Sequence, residues 1–183
     1  MRKIVAAINM TLDGFSDHDA LSPDAEVHQH YTDLLSQADA ILYGRTTFEL
    51  MEYWRPMVEK PSGDPAMDDF AVEMNRIQKI VFSSSLQRID WASAHLATRP
   101  LEEEVLALKQ QSGKDILVGS RSLILQLMEL NLIDEYQICT HPVVVGSGRP
   151  LFENVIDRKT FRLTNTKIFK GGAIILYYAP EKE

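Results

Sequence analysis

Apolar positions along the chain fall into short unbroken runs separated by amphipathic stretches. Lys3-Ile4-Val5-Ala6-Ala7-Ile8-Asn9 has no helical spacing and reads as a buried strand, as do Ala40-Ile41-Leu42-Tyr43, Lys79-Ile80-Val81-Phe82 and Asp115-Ile116-Leu117-Val118. A helix opens at Ser22-Pro23-Asp24, with Ser22 as N-cap and Pro23 in its first position, and runs to about residue 37. Further helices are predicted over about 46–53, near 66–76 and over 101–111. Pro100 starts the last of these and Gly113 closes it as a C-cap. A loop with Pro56, Pro61, Gly63 and Pro65 separates the second helix from the third, and Leu96-Ala97 forms a brief edge strand. Leu123, Leu127 and Leu130 mark one face of another helix. The last third carries longer strands over 135–142, 161–169 and 173–178, and Lys170-Gly171-Gly172 is a tight hairpin signal. Strands alternating with helices, then consecutive strands, predict a three-layer α/β/α fold. Its central sheet is mixed, mostly parallel, with antiparallel C-terminal strands.

Composition narrows the class without changing this picture. The 183 residues are 45% apolar and 25% charged, as expected of one soluble domain over 1–183, without internal repeats. A net charge of −7 argues against partnership with nucleic acid or an anionic membrane surface. Cys139 is the only cysteine, which fits a reducing compartment. Its apolar setting in Tyr136-Gln137-Ile138-Cys139-Thr140 reads as a buried structural thiol, not a nucleophile. The N-terminus enters a strand without the layout of a signal peptide, so the expected location is cytoplasmic.

Candidate chemistry sits where the strands end. Tyr43 is followed by Gly44-Arg45-Thr46, Phe82 by Ser83-Ser84-Ser85, and Val118 by Gly119-Ser120-Arg121. The carboxyl ends of parallel strands share one edge, where ligands bind. Glycine admits a phosphate to the backbone, hydroxyls and helix N–H groups bond it, and arginine supplies charge. One such turn is only a turn; three at successive strand ends point to a phosphorylated ligand. None is a G-x-G-x-x-G or a P-loop.

These turns carry a resemblance. Tyr43-Gly44-Arg45-Thr46-Thr47-Phe48-Glu49 resembles the strand-to-helix motif of dihydrofolate reductases that binds cofactor phosphates. Val81-Phe82-Ser83-Ser84 is similar to their next cofactor strand, and Val118-Gly119-Ser120-Arg121 to the turn beneath the pyrophosphate, which in dihydrofolate reductases carries a cis peptide. Met10-Thr11-Leu12-Asp13-Gly14, Leu132-Ile133-Asp134-Glu135-Tyr136 and His141-Pro142 through Leu151-Phe152 resemble the reductase domain of bifunctional riboflavin-biosynthesis enzymes. The chain is thereby identified as a single-domain relative in the dihydrofolate-reductase-like superfamily. The resemblance implies NADPH, contacted by Ala7, Gly44, Arg45, Thr46, Thr47, Ser83, Ser84, Gly119, Ser120, Arg121, Ser122 and Leu123, with Arg45 and Ser84 at the 2′-phosphate. It also implies a homodimer and a heterocyclic substrate of pterin, pyrimidine or ribosylamine type, with ribosylaminouracil-phosphate reduction the best-defined chemistry. Where riboflavin-type reductases carry Ser-x-Trp, this chain has Asp17-His18-Asp19-Ala20-Leu21-Ser22, so no ribosyl-phosphate pocket is visible.

Two groups are candidates for catalysis. Asp13 follows the first strand on the loop that covers the nicotinamide in this family; the competing reading is a turn aspartate before Gly14. Counting back from Gly44 places His28 where dihydrofolate reductases carry their acid; the competing reading, for His28 and His30 alike, is an exposed helical histidine. The two histidines face different sides of a helix and make no i, i+4 metal pair, so no metal site is expected. Asp134 and Glu135 point to opposite faces of a strand and cannot act as paired carboxylates. Tyr53-Trp54 reads as core packing beside the cleft, with stacking on a flat heterocycle the alternative. Gly146-Ser147-Gly148-Arg149 reads as a flexible basic loop that touches substrate or a second subunit, with an ordinary turn between strands the alternative. The alternatives to a reductase are a non-catalytic NADP(H)-binding module on the same scaffold, and a flavodoxin-like carrier. The missing phosphate loop after the first strand counts against the carrier.

Overall fold

The computed structural model describes residues 1–181. Its strands are β1 (Ile4–Thr11), β2 (Ala38–Gly44), β3 (Gln78–Phe82), β4 (Ala94–Leu96), β5 (Asp115–Val118), β6 (Glu135–His141), β7 (Phe161–Ile168) and β8 (Ile174–Pro180). They form one sheet in the order β4-β3-β2-β5-β1-β6-β8-β7. Neighbours from β4 to β6 pair in parallel, and β8 runs antiparallel to both β6 and β7. The helices are α1 (Ala25–Ser36), α2 (Arg45–Met51), α3 (Pro65–Arg76), α4 (Leu101–Gln110) and α5 (Arg121–Glu129). This is the mixed α/β arrangement that the run pattern implies.

The layers follow from strand alternation. Ala6, Leu42, Ile116 and Val118 face a core closed by Val105 and Leu108 of α4 and Ile124 and Leu127 of α5. Val5, Ile41, Tyr43 and Leu117 face the opposite core, closed by Leu35 of α1 and by Phe70, Ala71 and Met74 of α3. Both faces of the central strands are therefore buried, which is why their sequences are continuous apolar runs. Each fully buried aliphatic or aromatic side chain contributes about 1.5–3 kcal/mol.

Several element ends differ from the sequence reading. α1 starts at Ala25 because Asp24 caps it, its carboxylate accepting from the Val27 N–H at 2.9 Å; Ser22 and Pro23 lie outside. Pro56 is not in a loop but within a 3-10 turn, Glu52–Val58, that continues from α2. The C-cap of α4 is Gln111, in extended conformation, and Gly113 falls two residues beyond it at φ +145°. On α5 the buried face is Leu123, Ile124, Leu127 and Met128, while Leu130 is exposed past the helix end.

Cys139 is fully buried, in a small core with Val27, Phe169, Ala173 and Ile175, and burial pushes its thiol up to about 12. The native thiol is therefore expected to ignore a disulfide reagent such as DTNB in mildly alkaline buffer and to react fully in guanidinium chloride. Rapid reaction of the folded protein would contradict this packing.

Candidate active site

The carboxyl ends of β3, β2, β5 and β1 stand side by side along one edge of the sheet. A cleft of about 660 Å³ opens there. Ala7 and Asn9 of β1 and Gly119 after β5 line it from the sheet, Thr46 and Thr47 from α2, and Arg121 and Ser122 from α5. Across from these polar groups are His28, Tyr31 and Leu34 of α1, Trp54 of the 3-10 turn, and Phe70 and Met74 of α3. Ser16 through Asp19, Leu21 and Arg149 make the rim. The volume falls in the range typical of small-molecule and cofactor sites.

The two glycine turns are stitched to each other. The Gly44 N–H donates to the Ser120 hydroxyl at 2.8 Å, and Ser120 is buried. Close approach requires glycine at 119, where a Cβ would lie 2.8 Å from the Tyr43 ring; at Gly44 a Cβ would lie 3.3 Å from the Ser122 hydroxyl, a tight contact. The peptide joining Gly119 to Ser120 is trans. Ser120 thus positions the turns from a buried place outside the cleft lining. Leu123 is likewise withdrawn, its side chain in the core and its N–H donating to the Ser120 carbonyl at 3.1 Å. Arg121 reaches across to the 150–153 segment, donating to the Pro150 carbonyl at 2.6 Å and pairing with Glu153 at 2.5 Å. Arg45 lies on the outside of α2, half-exposed and 3.8 Å from Glu49. Ser83 and Ser84 stand at the end of β3, outside the cleft lining; the Ser83 hydroxyl accepts from the Ser85 and Leu86 N–H groups.

Asp13 is an anchor. Its carboxylate accepts from the Thr11 hydroxyl at 2.6 Å, from the Gly146 N–H at 2.8 Å and from the Val145 N–H at 3.2 Å. The Thr11 hydroxyl is the main cause that holds this carboxyl below its ordinary value. The residue does not line the cleft. The same contacts correct the picture of 146–149 as a flexible loop. Arg149 donates its N–H to Asp17 at 2.5 Å, and the Ser16 N–H donates to the Arg149 carbonyl at 2.9 Å.

Neither histidine of α1 is exposed. His28 is half-buried on the cleft wall, edge-on to Trp54 and Phe70 with ring centroids 5.8 and 6.0 Å away. Burial lowers its pKa. His30 faces the other way, buried beside Phe169, with Lys167 Nζ 3.3 Å from its Nδ1, and burial pushes it down to about 4. An NMR titration is expected to give midpoints below 6.5 for His28 and about 4 for His30. Because unfolded histidines bind protons at a higher pH than these do, stability should fall as pH drops from about 6.5 toward 4. An ordinary midpoint for His30 would contradict its burial. Trp54 packs on Phe70 as expected, whereas Tyr53 is exposed.

Asn9 and Tyr31 escaped the sequence reading. Tyr31 Oη donates to Asn9 Oδ1 at 3.1 Å, and His141 Nε2 lies 2.9 Å from the same oxygen. The available signal was a polar residue inside an otherwise apolar strand run.

A mixed sheet with a polar-and-apolar cleft at its parallel carboxyl edge is an open α/β arrangement, and the solved structures that share it place it in the dihydrofolate-reductase-like class. Within it, the chain belongs to the RibD C-terminal domain family, whose model matches residues 2–177. It is similar to the uncharacterized protein YyaP of Bacillus subtilis, 36% identical over 185 residues that cover 97% of this chain and 94% of that protein. A putative riboflavin biosynthesis protein from Shewanella sp. PV-4 shares the fold with a TM-score of 0.73 at 17% identity, covering 98% of this chain and 99% of the other. A pyrimidine reductase-like protein from Corynebacterium diphtheriae gives 0.69 at 16% identity, covering 100% and 93%. A diaminohydroxyphosphoribosylaminopyrimidine deaminase/5-amino-6-(5-phosphoribosylamino)uracil reductase from Thermotoga maritima gives 0.66 at 15%, covering 98% of this chain and 56% of that one. The family is of reductase type. Among the described residues, no helix is long and apolar enough to cross a membrane.

Proposed function

We propose that the protein is a reductase that uses NADPH to reduce a small heterocycle of pterin, pyrimidine or ribosylamine type. One observation carries this reading: the Gly44–Thr47 and Gly119–Ser122 turns converge on one side of a single cleft whose other side is apolar and aromatic. The donor set suits a dinucleotide. The Thr46, Thr47 and Ser122 hydroxyls, with backbone that only glycine leaves open, would hold the phosphates. Arg45, held only by an exposed ion pair, and the exposed Ser84 would meet the 2′-phosphate at the outer end.

When bound, the reduced nicotinamide would supply a hydride to the carbon of a C=N bond of the substrate, the π pair of that bond taking up a proton at nitrogen as the nicotinamide becomes oxidised. Ala7 leaves room on the sheet side, and the aromatic wall excludes water from the opposite side. His28 is the titratable group on that wall, and we assign proton delivery to it. Its lowered pKa makes the imidazolium scarce at neutral pH, so turnover should rise as pH falls toward that pKa. Asp13 serves as the loop anchor.

The test is consumption of NADPH, followed by absorbance, across dihydropterins, aminopyrimidines and ribosylamines. Turnover of at least one class, with the pH dependence abolished in His28→Gln, supports the reading. NADPH binding without turnover of any class would favour a non-catalytic module instead.

A further inference from the structure

The substrate side of the cleft is chemically unlike a phosphate site. Its walls are Leu34, Leu50, Trp54 and Phe70, with the His28 ring among them. Trp54 and Phe70 meet edge-on with centroids 4.6 Å apart, a rigid aromatic surface that suits a flat ring. The cations do not compensate. Among the described residues no lysine lines the cleft, and each of its arginines has a carboxylate beside it. Arg121 is held by Glu153 and the Pro150 carbonyl, and Arg149 lies beside Asp17. Asp17 and Asp19 stand on the same rim, so two carboxylates face one guanidinium. A phosphate dianion against this wall, away from the Thr46, Thr47 and Ser122 hydroxyls, would give up its hydration without gaining the charge-assisted bonds that repay it.

One polar group does face the cavity from the sheet. Asn9 Oδ1 has Tyr31 Oη at 3.1 Å and His141 Nε2 at 2.9 Å. An amide offers two acceptor positions on oxygen and two N–H donors on nitrogen. With His141 in its Nε2–H tautomer, two partners take the oxygen and the Nδ2 donors are left for an acceptor on a ligand. The two partners also fix the plane of the amide, so this donor is preorganised.

We propose that the substrate is a planar, uncharged heterocycle without a phosphate, seated against the Trp54–Phe70 wall with a ring carbonyl or ring nitrogen accepting from Asn9 Nδ2. Asn9 is then the residue that reads the polar edge of the ring, and the uncharged wall with its acidic rim rejects phosphorylated relatives. This rests on the reductase reading for the direction of the chemistry. It departs from the phosphoribosyl substrate class named for the Thermotoga maritima protein.

Quenching of tryptophan fluorescence measures binding directly, because Trp54 lines the cleft while Trp91 is buried elsewhere. The full chain is titrated with a dihydropterin, an aminouracil riboside and the 5′-phosphate of that riboside, each with and without saturating NADPH. The phosphate-free ligands are expected to bind at least tenfold more tightly than the 5′-phosphate. Leu50→Lys, which adds a cation to the wall, should narrow that gap at least tenfold. Asn9→Leu should weaken the phosphate-free ligands about tenfold while leaving NADPH binding intact. Equal or tighter binding of the 5′-phosphate by the unmutated protein overturns the proposal, and needs no variant to fold. So does failure of every heterocycle to bind the NADPH-saturated protein. Preference for the 5′-phosphate together with NADPH consumption would overturn this substrate class and keep the reductase reading. Binding of phosphate-free rings by a protein that ignores NADPH would do the reverse.

Discussion

Gly119→Ala is expected to lower both stability and NADPH affinity, although it adds a single methyl group. That methyl would stand 2.8 Å from Cε1 of Tyr43 and 3.5 Å from Cδ1 of Ile41. The ring cannot swing aside, because Tyr43 is buried among the side chains of the second core and its hydroxyl lies 3.6 Å from the Met74 sulfur. The end of β5 has to move instead, and overpacking of this kind costs about 1–3 kcal/mol. Ser120 moves with it and loses its grip on the Gly44 N–H, so both glycine turns shift together. A melting temperature several degrees lower and at least a tenfold loss of NADPH affinity are expected. A variant that melts and binds like the parent would show that the turn is not tightly packed.

The second large effect is away from the cleft. Lys79 on β3 is fully buried, its Nζ donating to the Ile77 carbonyl and to Ser93 Oγ, each at 2.8 Å, and lying 4.1 Å from the centre of the Trp91 ring. Burial, with a smaller push from Arg76, lowers its pKa to about 7. An unfolded lysine titrates near 10.5, so between these values the unfolded state binds more protons than the folded one. Stability should therefore rise with pH across that window. A displacement of this size corresponds to about 5 kcal/mol between protonation states. Lys79→Met leaves one carbonyl without its partner, a cost of about 1–3 kcal/mol, so at neutral pH and below the removal of the buried charge wins. Urea unfolding should find the variant more stable near neutrality and its pH slope flattened. A parent protein whose stability is flat across the window would contradict this account.

The sequence shows the sheet because β1, β2, β3 and β5 are buried on both faces, and that burial writes itself as apolar runs. The glycine turns are legible for a related reason: glycine and hydroxyl residues stand at the ends of such runs. What depends on distant partners is hidden. Asp13 reads as a catalytic candidate until Val145 and Gly146 arrive from more than 130 residues away to claim its carboxylate. His28 reads as exposed because Trp54 and Phe70, which cover it, belong to other elements. Ser22 and Asp24 are both good helix caps on paper, and only the bond to the Val27 N–H decides for Asp24. Asn9 is visible as a polar interruption of β1, but its meaning waits on Tyr31 and His141.

If the paired glycine turns hold a phosphorylated nicotinamide dinucleotide, titration of the purified chain with NADPH and with NADH, following nicotinamide fluorescence, will show it. Saturable binding of one NADPH per chain is expected, at least tenfold tighter than NADH, with Arg45→Ala erasing that preference. Absence of saturable binding for both dinucleotides would contradict it.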